Sequence, residues 1–334
     1  MTPNECFHDL LRDIEPSPTT KTDAANAHRT MRAFLRTHAS FGSRHVDTYL
    51  SGSYKRDTAI RPRRHDGITT RPDVDIIVVT NHSLGDSPSL VVAELYDAVA
   101  DGYSRIEKQT RSVGVETAEV DMDVVPIIEP FGPDRGLYIP DRALVAWLPT
   151  NPPGHTTWTT ARNAAAGGRF KPLVKLLKWW RRQNPTTGRH PKGFIIECIA
   201  AECMDYEETH YGLLFVRTLE RIVSRYLIET LSGFVPTIPD PAVAGNSVTR
   251  NVSYEEFRSF RDQAEKDAKT ARRALTETDP GEMARLWREI FGPRFPATPS
   301  KIAGDLLGAP VSTAAGGLVF PDRPVQPNKP AGFA

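Results

Sequence analysis

Cysteine is scarce in this chain of 334 residues: Cys6, Cys198 and Cys203 are all it has. Three thiols cannot make a tetrahedral zinc site on their own. Cys198 and Cys203 fall in an apolar stretch, where they read as small core residues. Long apolar runs are also missing, and Met1-Thr2-Pro3-Asn4-Glu5 carries neither a basic n-region nor an apolar h-region. No membrane span and a cytoplasmic location are therefore expected. Charge of one sign is missing too: 42 Lys and Arg against 41 Asp and Glu leave a net +1. Without a broad basic field, strong binding of duplex nucleic acid is not expected, although a local basic cleft is compatible with that balance. No internal repeat and no GxxxxGK[ST] phosphate loop occurs. What remains is a 39% hydrophobic, 25% charged composition typical of a soluble globular protein, long enough for two packed lobes and a cleft.

The informative residues lie in the first half. Ser51-Gly52-Ser53-Tyr54-Lys55-Arg56-Asp57-Thr58 precedes Asp73-Val74-Asp75-Ile76-Ile77-Val78-Val79, and Glu119-Val120-Asp121-Met122-Asp123-Val124-Val125-Pro126 follows. Strand side chains alternate faces, so Asp73 and Asp75 point one way while Val74, Ile76 and Val78 point the other. In the second segment Asp121 and Asp123 oppose Val120, Met122 and Val124. Two adjacent strands would thus gather three carboxylates. Such a cluster of like charges is costly unless cations neutralise it, and all-oxygen ligands suit Mg²⁺ or Mn²⁺ rather than zinc. A paired-metal site of this kind activates an attacking hydroxyl and stabilises the leaving oxygen in a displacement at phosphorus. The glycine-serine turn complements it, because glycine admits close approach of backbone to phosphate and hydroxyls donate to it. Asp73, Asp75 and Asp123 are the candidate catalytic residues and metal ligands. Ser51, Gly52 and Ser53 are the candidate phosphate holders.

The order of the Ser51-Gly52-Ser53 turn, the Asp73-Val74-Asp75 strand and Asp123-Val124-Val125-Pro126 resembles the catalytic core of the bacterial cGAS/DncV-like nucleotidyltransferases, within the polymerase-β-like superfamily. The run Lys171-Pro172-Leu173-Val174-Lys175-Leu176-Leu177-Lys178-Trp179-Trp180 is similar to that family's later helix, and the likeness extends from about residue 20 to the C-terminus. The resemblance implies a metal-dependent enzyme that joins nucleoside triphosphates, ATP among them, into a cyclic di- or trinucleotide messenger with release of pyrophosphate. That messenger would act on an effector in anti-phage defence. Linear oligonucleotide synthesis, or nucleotidyl transfer to RNA or protein, is the alternative. It implies Lys178 as a triphosphate contact, and it selects Asp123 over Asp121 by the apolar pair and proline that follow. Where many relatives carry serine before an aromatic, this chain has Gly193-Phe194, and Phe194 is expected to pack in the core. The animal enzymes' zinc loop has no counterpart. Some relatives end in a short tail that a ubiquitin-transferase-like partner conjugates, which here would act on Ala334.

The expected fold is α+β: a polymerase-β-like lobe with a mixed sheet, a helical second lobe and a long N-terminal spine helix. Residues 1–44 would hold the N-terminal helices and spine, 45–150 the catalytic core, 151–316 the helical lobe, and 317–334 a proline-rich tail. Helices are expected at about 6–14 and 21–40, the second started by hydroxyl caps near Thr19 and Thr20. Strands are expected at 45–50, 106–110 and 115–128, and a helix at 88–100. A turn between lobes falls at 148–154. Further helices are expected at about 157–166, 170–183, 191–204, 210–231, 254–276 and 281–290.

Overall fold

The computed structural model describes residues 3–65, 68–132 and 136–297. The tail at 317–334, with Ala334, lies outside these, as do Asp66 and Gly67. Among the described residues no helix is long and apolar enough to cross a membrane.

The chain opens with α1 (Pro3–Ile14) and α2 (Pro18–Thr37). On α1, Cys6, Phe7, Leu10 and Ile14 recur at helical spacing and are fully buried in a core of helices. Phe7 meets Trp287, Phe291 and Phe295 edge-on. The apolar stripe of α2, Ala24, Met31 and Leu35, enters a different core, against the sheet. α2 begins three residues before the sequence expectation. Ser17 is the N-cap, accepting from the Thr20 amide, and Pro18 occupies the first helical position, where its missing N–H costs nothing.

The sheet is assembled from β1 (His45–Leu50), β4 (Asp73–Thr80), β5 (Ile106–Lys108), β6 (Val113–Glu116), β7 (Asp121–Ile128), β8 (Leu137–Asp141) and β9 (Ala146–Thr150). Between β1 and β4 lie the short helix α3 (Gly52–Arg56) and a two-residue ribbon, β2 (Arg64–His65) with β3 (Ile68–Thr69). The order is β1-β4-β7-β6-β5, with β8 added to β7 and β9 to β8. Among the described strands only β4 and β7 run parallel; their crossover carries α4 (Pro88–Ala100). The single strand expected over 115–128 is two, because Thr117 closes a turn onto Val120 and reverses the chain. The segment expected as an interlobe turn at 148–154 is half strand and half helix. Asn151 caps the following helix by accepting from the Gly154 amide at 2.8 Å.

Among the described residues seven helices follow: α5 (Pro152–Ala165), α6 (Phe170–Gln183), α7 (Phe194–Cys203), α8 (Tyr211–Arg225), α9 (Leu227–Leu231), α10 (Tyr254–Thr276) and α11 (Pro280–Phe291). They enclose Trp180, Phe215, Phe257, Phe260 and Trp287. Cys198 and Cys203 sit buried in this core as expected. Each such side chain contributes about 1.5–3 kcal/mol by leaving water, so the helical half is held by its own aromatic interior rather than by the sheet. On the sheet, Val74, Ile76 and Val78 of β4 pack with Met122 and Val124 of β7 beneath α2 and α4. The opposite face begins with carboxylates and turns apolar at Ile77 and Val79.

Candidate active site

The parallel register sets the acidic cluster. Asp73 stands opposite Asp121 and Asp75 opposite Asp123, all on the face away from the Val74–Met122 core. Burial, and then the charges of Asp73 and Asp123, push the Asp75 carboxyl up to about 6. Asp73 is raised by burial and by Asp121; Asp123 is raised by burial and by Asp73. Ser112 and Gln109 hydrogen-bond to Asp123 and oppose its rise. Asp121 is engaged elsewhere, in an ion pair with Arg71 at 2.6 Å. Glu119 lies exposed in the turn before β7.

The glycine-serine turn is pressed onto this cluster. The Ser51 amide donates to the Asp75 carbonyl at 2.8 Å, continuing the β1–β4 pairing into the turn. Gly52 has φ +63°, and a Cβ there would lie 1.6 Å from Asp75 Oδ2. No other residue fits without displacing that carboxylate. Ser53 follows in α3 and lines a cavity of about 800 Å³, together with Thr58, Asp73 and Lys178. A second cavity of about 470 Å³ lies against Asp73, Asp123, Gln109 and Arg105. Asp73 borders both.

The larger cavity is strongly cationic: Arg63, Arg71, Arg181, Arg182, Arg189 and Lys192 line it. Burial, and then Arg63, hold the Arg182 guanidinium down at about 10. Arg181 is lowered by burial, against the opposing pull of Glu256 and with Arg63 adding to the fall, and its buried Nε has no hydrogen-bond partner among the described residues. Cations that repel one another around an open space mark a site for a polyanion. Arg181 and Arg182 escaped the sequence reading, because they resemble the solvated end of an amphipathic helix.

Lys178 lines the same cavity, yet its ammonium donates to Glu197 at 2.8 Å and to the Thr58 carbonyl and hydroxyl at 3.1 Å. Glu197 was not singled out from sequence. One signal was there: Glu197 is the only charge in Phe194-Ile195-Ile196-Glu197-Cys198-Ile199-Ala200. Lys55 is exposed and faces no cavity wall. Phe194 packs under the Arg56 guanidinium and against His155 and Trp158, in agreement with a core role.

Among the described residues no three His, Cys, Asp or Glu side chains are grouped to hold a metal ion as they stand. The donor set itself fits a hard divalent cation. Its ligands are all oxygen, they share one face of two paired strands, and burial together with a neighbouring carboxylate lifts each of the three carboxyl groups.

Comparison with known proteins agrees with this geometry. Residues 1–163 match the model of the Second Messenger Oligonucleotide or Dinucleotide Synthetase domain. The chain is 49% identical over 340 residues to the cyclic AMP-AMP-AMP synthase of an Acinetobacter species, covering 100% of this chain and 98% of that one. It is 28% identical to the cyclic AMP-AMP-GMP synthase of Enterobacter hormaechei, over 98% of both chains. Among solved structures it resembles the Bradyrhizobium diazoefficiens CD-NTase CdnG in complex with GTP, with TM-score 0.74 and 17% identity, covering 88% of this chain and 96% of that one. It also resembles E. coli MS115-1 CdnC with ATP, with TM-score 0.70 and 19% identity, covering 88% and 99%. The α+β polymerase-β-like fold and the nucleotidyltransferase chemistry expected from the motifs both hold, and the chain belongs to the cGAS/DncV-like nucleotidyltransferase family.

Proposed function

We propose that this enzyme joins ATP into a cyclic trinucleotide, releasing one pyrophosphate per bond. The observation that carries the reading is the placement of the carboxylate cluster: Asp73 lines both the cationic cavity and the second one, Asp123 lines the second, and Asp75 stands opposite Asp123 on the same face. The 49% identical relative named as a cyclic AMP-AMP-AMP synthase supports the choice of base and ring size.

In this reading the donor triphosphate occupies the cationic cavity. Ser51 through its hydroxyl, and Gly52 and Ser53 through their backbone amides, receive its β- and γ-phosphates, and Ser53 and Lys178 line that cavity. Arg181 and Arg182 neutralise the outer phosphates. The acceptor sugar lies in the second cavity, beside Asp123. Asp123 takes the proton of the attacking hydroxyl, while Asp73, between the cavities, faces both reactants. Mg²⁺ or Mn²⁺ held by Asp73, Asp75 and Asp123 would supply charge neutralisation at the phosphates and a lowered proton affinity at the hydroxyl. Most of the acceleration then comes from placement and fixed charge.

Incubation of the purified protein with labelled ATP, GTP, CTP and UTP in turn and together, with Mg²⁺ or Mn²⁺, tests the reading. Phosphatase treatment and mass spectrometry should give a phosphatase-resistant trimer from ATP alone. A phosphatase-sensitive chain, or label on RNA or protein, would instead favour linear synthesis or transfer to a macromolecule. Anti-phage signalling through an effector, and conjugation of Ala334 by a ubiquitin-transferase-like protein, belong to the same reading. They would be scored by phage protection with and without the last residues. E. coli CdnC, a structural neighbour, forms a complex with a HORMA protein, so a protein partner is a reasonable counterpart to seek.

A further inference from the structure

Gly114 is a glycine that its own backbone does not require. It lies inside β6, where glycine weakens a strand, and it has no left-handed backbone angle. The register sets it directly opposite Asp123 of β7. What excludes a side chain there is a neighbour: a Cβ on Gly114 would stand 2.8 Å from Gln109 Nε2. The slot beside Asp123 is thus filled by the Gln109 amide. Gln109 follows β5 directly, and it lines the second cavity together with Gly114 and Asp123.

Hydrogen-bond accounting sets which way that amide points. Ser112 is buried and has one hydroxyl proton. The shorter contact, 2.8 Å to Gln109 Oε1, takes it ahead of Asp123 Oδ1 at 3.5 Å. With Oε1 engaged as an acceptor, the N–H donors of Nε2 are left for Asp123, which accepts from Gln109. The turn that carries both residues is closed and anchored. The Gln109 backbone N–H donates to the Ser112 carbonyl at 3.0 Å, and the Arg142 backbone N–H to the Thr110 carbonyl at 3.1 Å. Arg142 Nη1 adds the Gln109 carbonyl at 2.8 Å and the Lys108 carbonyl at 3.3 Å. Beside it, Arg111 of the same turn donates to Asp141 at 2.7 Å.

We propose that Gln109 is a positioning residue for nucleotidyl transfer: its amide, admitted by Gly114 and oriented by Ser112, holds the Asp123 carboxylate in one rotamer at the acceptor cavity. This inference rests on the proposed transfer chemistry, in which Asp123 takes the proton of the attacking hydroxyl. An aspartate side chain has several staggered wells open to it. Proton transfer, however, needs the base within hydrogen-bond reach, about 2.6–3.2 Å. A neutral amide meets that need well. It fixes the carboxylate without bringing a second cation to compete with a divalent metal ion.

The test compares Gln109→Leu, Gly114→Ala, their double variant and Ser112→Ala with wild type. Each is scored by melting temperature, affinity for a non-hydrolysable ATP analogue with Mg²⁺, and the rate of pyrophosphate release at saturating ATP. Gln109→Leu keeps most of the side-chain bulk and should melt near wild type. It should lose about tenfold or more in kcat, the weight of one hydrogen bond to a charged group, while analogue affinity changes less than about threefold. Gly114→Ala should match it, and the double variant should lose no more than either single one. Ser112→Ala should lose less, about fivefold, as one neutral hydrogen bond does. A crystal structure of Gln109→Leu should show Asp123 turned from its wild-type rotamer or split between two. Wild-type kcat in folded Gln109→Leu, or an unmoved Asp123 in its crystals, would overturn the assignment. So would losses that multiply in the double variant, or a tenfold loss of analogue affinity at unchanged kcat, which marks a ligand contact. Pyrophosphate release is scored whatever the product, and the crystal structure needs none. A linear product from wild type would therefore overturn the cyclic reading while the Asp123 rotamer still decides the role of Gln109.

Discussion

Two groups of buried charge lie within a few residues of the same glycine turn, and they are built on opposite principles. Around Glu197, two cations and two hydroxyls satisfy one carboxylate. Across β4 and β7, Asp73, Asp75 and Asp123 crowd one face, and each is raised by burial and by a neighbouring carboxylate. The first arrangement is self-sufficient and fixes geometry. The second is unstable by itself and invites a cation. The contrast predicts opposite responses to neutralisation.

The largest effect is expected at Asp75. Asp75→Asn should abolish nucleotidyl transfer, a loss of at least about a thousandfold, because both the charge and the cation it holds are removed. Yet the metal-free variant should be more stable than metal-free wild type at pH 7.5. With the folded carboxyl at about 6 against an ordinary 3.8, the folded state keeps a proton that the unfolded chain has lost. Wild type therefore sheds stability as pH rises through that window, by about 3 kcal/mol in total. Melting curves in chelator should show the gap between the two proteins closing as pH falls from 6 towards 4. At Glu197 the sign reverses: neutralising it strands two buried cations and should lower the melting temperature.

A smaller loss is expected at Gly52. Alanine there would meet Asp75 Oδ2 at 1.6 Å and Cγ at 2.4 Å, at φ +63°. Gly52→Ala should cost about 100-fold in kcat, as loss of one preorganised phosphate or carboxylate placement does, together with about 1–2 kcal/mol of backbone strain. Steady-state kinetics with a melting curve separates the two. The smallest effect belongs to the cavity wall. Arg181→Ala and Arg182→Ala should each raise the KM for ATP about tenfold, the loss of one charge-assisted contact. Arg182 now repels Arg63, so Arg182→Ala should not lose stability through charge, whereas Arg181→Ala also gives up the attraction of Glu256.

What was legible in the sequence follows from the range of the forces involved. The α6 and α10 bounds, residues 170–183 and 254–276, agree with expectation because local periodicity and caps define them; Ser253 and Glu256 form a full capping box. The acidic face was legible because strand alternation is local, and the register that sets Asp75 against Asp123 confirms the shared face. The β8–β9 hairpin was not legible, since Pro140 and Pro149 argue against strands unless the edge position is known. The start of α2 was missed because Pro16 and Pro18 read as breakers and hid the Ser17 cap. In the site, the partners of Glu197 lie up to 141 residues away, and nothing local names them. The cationic cavity likewise exists only once α6 is laid across the sheet's mouth.

The most direct measurement is a thermal-shift titration of chelator-stripped wild type and Asp75→Asn with Mn²⁺ at pH 7.5, in the presence of a non-hydrolysable ATP analogue. If the carboxylates are crowded to hold a cation for phosphoryl transfer, Mn²⁺ raises the wild-type melting temperature to at least that of the metal-free variant and leaves Asp75→Asn nearly unchanged. An equal rise in both proteins, or none in wild type, would contradict the account.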